Sequence, residues 1–372
     1  MVQISKFDRL IIKVGGYLSV GIVVRYFFEE SMLSIFVEAS CNRYVRDECR
    51  FCHVYEPLST HDKGNWHMTP DDARLMVDKI REVAPLKDLA KQEINLTGGE
   101  ASQNPYIVEI FKIFRKLSTN VRLHTNLDIN SEKSKRWERL VEITQLRGRI
   151  DITLYPTVWE SRQKPLLEKI IQLQNGLIVN LIYESLADLL NQINILTDFF
   201  NEQDKNKFSP VLELLGKFHD RLKNITDKNP ECREDKFLEG MGELENYVSC
   251  PGGFIFAVNA IPSFYVNPEG IRDMTSLPFP KDIYMLECTA VRGVIEIMTI
   301  LQTGEMTPCC DVGNLKCQPK FGNLLIDSPE TLLQKFGESQ KLMAAGALKN
   351  KKNIDNRQPG QWVEEGIPPY CV

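Results

Sequence analysis

No apolar run in these 372 residues is long enough to cross a bilayer. The most apolar early stretch, Val14 to Val24, is bounded by Lys13 and Arg25 and falls short of the roughly 20 residues that a spanning helix needs. It reads as a packing segment or a short hairpin around Gly15 and Gly16. A cleavable secretory signal is also missing, so the ten cysteines do not read as the disulfide framework of a small secreted domain. Nor is there an excess of positive charge. Lys and Arg number 45 against 50 Asp and Glu, and the formal charge of -5 offers no basic face to a nucleic acid. What remains is a globular chain with enough apolar residues for one large domain and a smaller one, suited to a reducing cytoplasm.

Against those absences stands a patterned set of thiols. Leu33-Ser34-Ile35-Phe36-Val37-Glu38-Ala39 alternates as a strand does, and Ser40-Cys41 follows it, with Cys49-Arg50-Phe51-Cys52 a few residues later. The three cysteines have a C-x7-C-x2-C spacing on the loop leaving the carboxyl end of a strand, the end where chemistry collects in α/β sheets and barrels. Three thiolates on one loop can hold three irons of a [4Fe–4S] cube and leave the fourth iron open. Cys49-x2-Cys52-His53 fits a zinc site as well. A buried set of small hydrophobes is the plainest alternative, and the Arg and Glu beside two of the thiols speak against it. On the cysteines alone, iron–sulfur and zinc stand level.

A second motif follows one strand–helix unit later: Glu93-Ile94-Asn95-Leu96-Thr97-Gly98-Gly99-Glu100. Ile94 and Leu96 alternate with polar residues, so a strand runs into a glycine pair and a carboxylate. Paired glycines admit a close backbone approach, and Glu100 can accept hydrogen bonds from an ammonium group. Together the two motifs resemble those of the radical S-adenosylmethionine (SAM) enzymes. The resemblance implies that Cys41, Cys49 and Cys52 bind a [4Fe–4S] cluster, that Phe51 lies by the adenine, and that Gly98, Gly99 and Glu100 hold the methionyl amine. One feature departs from the family: its common pattern has three residues between the first two cysteines, and this chain has seven. With both motifs counted, the SAM reading is favoured over zinc.

Strand–helix repetition carries the rest of the fold. Thr69-Pro70-Asp71-Asp72 opens a helix with a cap, a first-turn proline and acids that complement the dipole, and Leu75, Val77 and Ile80 supply its apolar face. Asn104-Pro105 opens the next, with Ile107, Ile110, Phe111, Phe114 and Leu117 at helical spacing. Further strands are expected at 121–126, 149–155, 177–183 and 253–258, the fifth followed by a helix with Leu186, Leu189, Leu190, Ile193 and Leu196. Six such units imply a parallel sheet, and the resemblance makes it a partial (β/α)6 TIM-like barrel over residues 33–270. Residues 1–32 form an N-terminal segment covering the rim. A helical insertion at about 201–246 carries Val211, Leu214, Leu215, Phe218, Leu222 and Ile225, as a wall decoration or a lid. The resemblance places SAM ribose contacts around the ends of the middle strands, with Thr125, Asn126, Thr153 and Tyr155 as candidates.

Residues 271–372 hold a second group of thiols. Cys288 is followed by an alternating strand from Val294 to Leu301, a turn at Thr303-Gly304 and a return to Cys309-Cys310. The spacing, Cys288, fifteen residues, Gly304, four residues, Cys309, resembles the opening of the auxiliary-cluster domains called SPASM or, when shortened, twitch. Phe321-Gly322-Asn323-Leu324 and a helix capped at Ser328-Pro329 resemble that domain too. A four-thiolate site needs four ligands, so the thiols suffice for one auxiliary [4Fe–4S] cluster and not for two. The expected ligands are Cys288, Cys309, Cys317 and Cys371, with Cys310 or Cys250 as substitutes for one of the last two; a structural zinc is the alternative. Cys232, among charges in the insertion, reads as an incidental thiol.

The resemblance implies reductive cleavage of SAM, with an electron from a flavodoxin- or ferredoxin-type donor. Its auxiliary signature implies a ribosomally made precursor peptide as substrate, modified by crosslinking, epimerisation or backbone excision as in a splicease. A separate leader-peptide recognition protein is the implied partner, since no such domain is visible in the chain. A small-molecule radical SAM dehydrogenase and a non-catalytic zinc-binding scaffold are the alternatives. Neither a nucleic acid nor a membrane is expected as a partner.

Overall fold

The structure is a computed structural model that describes residues 32–41, 66–83, 90–173, 176–183, 186–228, 246–262, 297–307 and 321–332, with 334, 335 and 338. Phe51, Cys49, Cys52, Cys232, Cys288, Cys309, Cys310, Cys317 and Cys371 lie outside them, as does the segment 1–31.

Six parallel strands follow one another through the sheet in chain order: β1 (Met32–Glu38), β2 (Glu93–Gly98), β3 (Asn120–Thr125), β4 (Arg149–Leu154), β5 (Gly176–Tyr183) and β7 (Ile255–Pro262). A short antiparallel strand, β6 (Tyr247–Ser249), edges β7. At the other end β8 (Ile297–Ile300) pairs parallel to β1 and turns back through β9 (Met306–Thr307). The order β6-β7-β5-β4-β3-β2-β1-β8-β9 leaves β1 and β7 unpaired with each other. This is the parallel sheet that the strand–helix repetition implies, in the open, partial (β/α)6 form expected from the resemblance. Of the hairpin expected at 294–308, the described part, Ile297–Ile300 with Met306–Thr307, extends the barrel sheet beside β1.

Alternation assigns the two faces of the sheet. Leu33, Ile35 and Val37 of β1, Ile94 and Leu96 of β2, Val121 and Leu123 of β3, and Ile150, Ile152 and Leu154 of β4 all belong to one apolar core. The helices supply the other half: α1 (Pro70–Val83), α2 (Ile107–Phe114), α3 (Lys135–Gln145), α4 (Lys164–Leu173), α5 (Leu186–Asn201) and α6 (Lys205–Lys228). Most intervening positions of β1 to β4 are polar, namely Ser34, Glu38, Asn95, Thr97, Arg122, His124, Asp151 and Thr153, with Phe36 an apolar exception. In β5 and β7, Asn180 and Asn259 stand among Ile178, Ile182 and Ala257. Parallel strands covered on both faces usually read as continuous apolar runs. Here the inner face of the barrel is built to hold polar groups.

Local chemistry sets the helix starts and faces. At α1 the Asp72 carboxylate accepts from Thr69 N at 2.8 Å and Thr69 Oγ1 at 2.7 Å, while Thr69 Oγ1 accepts from Asp72 N at 3.2 Å. That reciprocal cap fixes the first turn. The buried face is Ala73, Met76, Val77 and Ile80, an i, i+3, i+4, i+7 stripe, and Leu75 is 49% exposed. Leu75 is therefore not part of the apolar face expected from the sequence, because the helical period selects Met76 in its place. The insertion helix α6 packs against α5, the helix of the fifth strand–helix unit. Phe199, Phe200, Phe208, Phe254 and Phe256 meet in edge and tilted contacts with ring centroids 5.1–5.3 Å apart. Lys207 Nζ lies over Phe208 at 5.0 Å and Phe254 at 5.4 Å. This part of the insertion is a wall of the barrel. Among the described residues no helix is long and apolar enough to cross a membrane.

Candidate active site

The strand order puts the carboxyl ends of β1, β2, β3 and β4 side by side, and these carry Cys41, Gly98-Gly99-Glu100, Thr125-Asn126 and Thr153-Tyr155. Cys41 is half-buried, three residues beyond Glu38, the last bridged residue of β1. Its loop is tied to the glycine turn by backbone bonds, Gly99 N to Glu38 O and Glu100 N to Ser40 O, both 2.8 Å. The glycines are required for this approach. A Cβ on Gly98 would strike the carbonyl oxygen of Glu38, and one on Gly99 would strike those of Ser40 and Ala39. Gly98 also has φ +139, a conformation that side chains disfavour.

Glu100 is 1% exposed, and its carboxylate is committed to the protein. Oε1 accepts from Ser102 Oγ at 2.5 Å, Thr125 Oγ1 at 2.6 Å and Ser102 N at 3.2 Å, and Oε2 accepts from Asn126 N at 2.6 Å. Arg136 Nη2 stands 3.5 Å from Oε1. The carboxylate expected to receive an ammonium group also joins the β2 turn to the β3 exit as a clamp. Thr125, also fully buried, spends its hydroxyl on the same clamp. The surfaces left for a ligand at this turn are the partly exposed backbone of Gly98 and Gly99.

Asn126 is the residue aimed at the thiol. Its Nδ2 lies 3.9 Å from Cys41 Sγ, and its Oδ1 accepts from Asp128 N at 2.9 Å. Leu127, between them, has φ +50, a left-handed turn in a non-glycine residue that the surrounding bonds enforce. Thr153 Oγ1 is 3.1 Å from His124 Nε2, so this candidate faces the barrel interior. Tyr155 is half-buried at the rim, its backbone N–H donating to Gln163 Oε1 at 2.9 Å.

Several residues that build the rim carry no sequence motif. Gln163 is fully buried and donates from Nε2 to Asn126 O at 2.7 Å and Thr153 O at 2.8 Å, closing the β3 and β4 exits onto each other. It sits in a π-helical turn, Trp159–Gln163, whose irregular spacing no periodicity would detect. Asn104 clips the β1 exit from below, donating to Val37 O at 2.7 Å and Met68 O at 3.0 Å. Its position before Pro105 suggested only a helix start. Arg136 and Arg162 hold Asp128 from two sides, the first through its backbone carbonyl at 3.2 Å and the second by an ion pair with its buried carboxylate.

Below the rim, Arg122 spans the inner face. Its Nη2 is 2.5 Å from Glu93 Oε1, and its Nε is 3.1 Å from Asp151 Oδ2. Burial pushes the Asp151 carboxyl up to about 7, outweighing the Arg122 charge that pulls it down. A carboxyl with a raised folded-state pKa binds its proton more tightly folded than unfolded. Its stabilising contribution is therefore full at low pH and is lost as pH rises from the ordinary carboxylate range through about 7. Replacing Asp151 with Asn should flatten that slope. Between pH 4 and 7 the wild type should lose stability relative to Asp151→Asn, at no more than about 1.4 kcal/mol per pH unit. Urea unfolding across that range checks it.

Cys250, a substitute candidate for the auxiliary cluster, is 5% exposed within the apolar core, and burial raises its thiol pKa. That environment disfavours the thiolate a metal needs. Among the described residues, no three His, Cys, Asp or Glu side chains converge on one metal position.

The fold and rim thus define an open α/β barrel with a polar interior and a thiol at its mouth. No family model and no curated protein matches the chain. Among solved structures it is similar to Streptococcus suis SuiB bound to precursor peptide SuiA, with 14% identity, a TM-score of 0.42, and coverage of 82% of this chain and 65% of that one. A second SuiB structure, bound to S-adenosylmethionine, overlaps with a TM-score of 0.43 at 14% identity, covering 92% and 70%. BtrN in complex with AdoMet and 2-DOIA gives 0.41 at 14% identity, covering 84% and 86%. The chain therefore spans just under two thirds of the SuiB chain that carries the peptide.

Proposed function

We propose that this chain is a radical SAM enzyme acting on a ribosomally made precursor peptide. One observation carries the reading: two motifs far apart in sequence, the Cys41 loop and the Gly98-Gly99-Glu100 turn, are bonded backbone to backbone at the mouth of one barrel. A fit to the cofactors rests on this geometry. The glycine pair lets the β2 turn close directly on the backbone of the Cys41 loop, a half-buried thiol lies on that loop, and the residues that follow supply two more thiols in sequence.

In this reading Cys41, Cys49 and Cys52 hold a [4Fe–4S] cluster, and three ligands suit a cube with one open iron. The Gly98-Gly99-Glu100 turn seats the methionyl amine of SAM, Phe51 lies by the adenine, and Thr153 and Tyr155 line the ribose side. When bound, the cluster and SAM, given one electron from the external donor, would supply the radical chemistry for hydrogen-atom abstraction from the substrate. The protein's own part is positional. Glu100 fixes the glycine turn against the β3 exit, Gln163 fixes the β3 and β4 exits together, and the polar inner face binds the substrate and orients it for hydrogen abstraction. Cys288, Cys309, Cys317 and Cys371 would hold one auxiliary cluster. An external low-potential protein donor and a separate leader-binding protein complete the system.

The test is anaerobic incubation of iron-reconstituted protein with SAM and dithionite, followed by quantitation of 5′-deoxyadenosine. The wild type should make it and Cys52→Ala should make none; equal product from both would overturn the cluster assignment. Cys309→Ala should still cleave SAM but fail to turn over a peptide substrate.

A further inference from the structure

We infer that Asn126 is a hydrogen-bond donor to the Cys41 thiolate and sets the reduction potential of the cluster that Cys41 would ligate, an inference that rests on the function proposed above. An asparagine amide has one accepting and one donating end, and its neighbours decide which way it faces. Here Oδ1 is engaged by Asp128 N at 2.9 Å, which turns the NH2 end to Cys41 Sγ at 3.9 Å. The residue is held at two further points. Its N–H donates to Glu100 Oε2 at 2.6 Å, and its carbonyl accepts from Gln163 Nε2 at 2.7 Å. With 6% of its surface exposed, Asn126 has little freedom to turn elsewhere. The donor is therefore preoriented toward the sulfur by bonds from the β2 turn, from the residues after β3 and from the π-helical turn after β4.

A donor aimed at a ligating sulfur stabilises negative charge there. The reduced cluster carries one more negative charge than the oxidised one, so the bond favours reduction and raises the potential. Its consequence for function is direct, because a cluster of higher potential accepts an electron from a weaker reductant. This role differs from a ribose contact, the part suggested by the position of Asn126 at a strand end. It also gives the Glu100 clamp a second purpose: by holding the Asn126 backbone it ties the SAM turn to the electronic environment of the thiol.

The experiment is a redox titration of the reconstituted full chain, followed by electron paramagnetic resonance of the reduced cluster, in the Cys288→Ala background so that one cluster contributes. Asn126→Leu removes the donor at similar size. Asn126→Asp keeps an acceptor for Asp128 N and puts an anionic oxygen toward the sulfur, and it serves as the readout where the leucine variant does not hold iron. Both should move the midpoint to more negative potential, Asn126→Asp further than Asn126→Leu, with iron content unchanged. A midpoint that stays put, or moves positive, in a variant that retains its iron overturns the inference and leaves the proposed function standing. Failure of the parent protein to assemble any cluster would instead overturn the proposed function itself.

Discussion

One methyl group at Gly98 or Gly99 is expected to collapse the barrel mouth, whereas the same methyl at Gly216 is expected to stabilise the protein. At Gly98 the added carbon meets the backbone of Glu38, and at Gly99 the backbones of Ala39 and Ser40. A core can relieve overpacking by turning side chains, at roughly 1–3 kcal/mol. Backbone held by the β1–β2 ladder and the bonds Gly99 N to Glu38 O and Glu100 N to Ser40 O has no such freedom. Gly98→Ala and Gly99→Ala should therefore cost more than about 3 kcal/mol, the upper end of that overpacking range. Gly98→Ala adds a further penalty from its positive φ. Gly216 lies inside α6 with nothing within 4 Å of a new Cβ, so Gly216→Ala should gain about 1 kcal/mol from helix propensity. Urea unfolding of the cluster-free protein measures all three. Equal effects at the three positions would mean that the turn does not press on the Cys41 loop.

Removing the Glu100 carboxylate should have the second-largest effect. Glu100→Ala leaves Ser102 N, Asn126 N and two hydroxyls without an acceptor in a site that is 1% exposed, with the Arg136 charge close by. Each buried donor left unsatisfied costs about 1–3 kcal/mol, and breaking a buried ionic group's partnership costs about 3–5 kcal/mol. A loss of roughly 3–5 kcal/mol is expected, since hydroxyls can turn to other partners and the effects do not add. The expected readout is lower stability of the cluster-free protein, measured before any cofactor is added. A residue whose only task was to bind a ligand ammonium would leave that apo stability unchanged. The two roles are thereby separable.

Strands β2, β3 and β4 were legible because their apolar residues alternate strictly on the helix-facing side. Ile94 and Leu96, Val121 and Leu123, and Ile150, Ile152 and Leu154 all lie at 0–1% exposure in the core. Strand β6 was not legible: three residues long with Tyr247 57% exposed, it offers too few positions for a period. At the site the sequence disclosed which groups are present and could not disclose their partners. A Gly-Gly-Glu turn announces a close approach and a carboxylate, but Glu100 receives its donors from Thr125 and Asn126 on another strand and from Arg136 on α3. Gln163 and Asn104 work through long-range bonds to backbone carbonyls, and such bonds leave no local pattern. Asn126 was found for its place at a strand end, and its direction became apparent only once Asp128 N had fixed its amide.

The most direct measurement is the metal content of the chain purified without oxygen, taken together with that of Cys52→Ala. Two cubes require about eight irons per chain in the wild type, and the variant should keep about four and lose the spectroscopic signature of the cluster with an open iron. A colourless wild-type protein carrying stoichiometric zinc, with the same content in Cys52→Ala, would contradict the account.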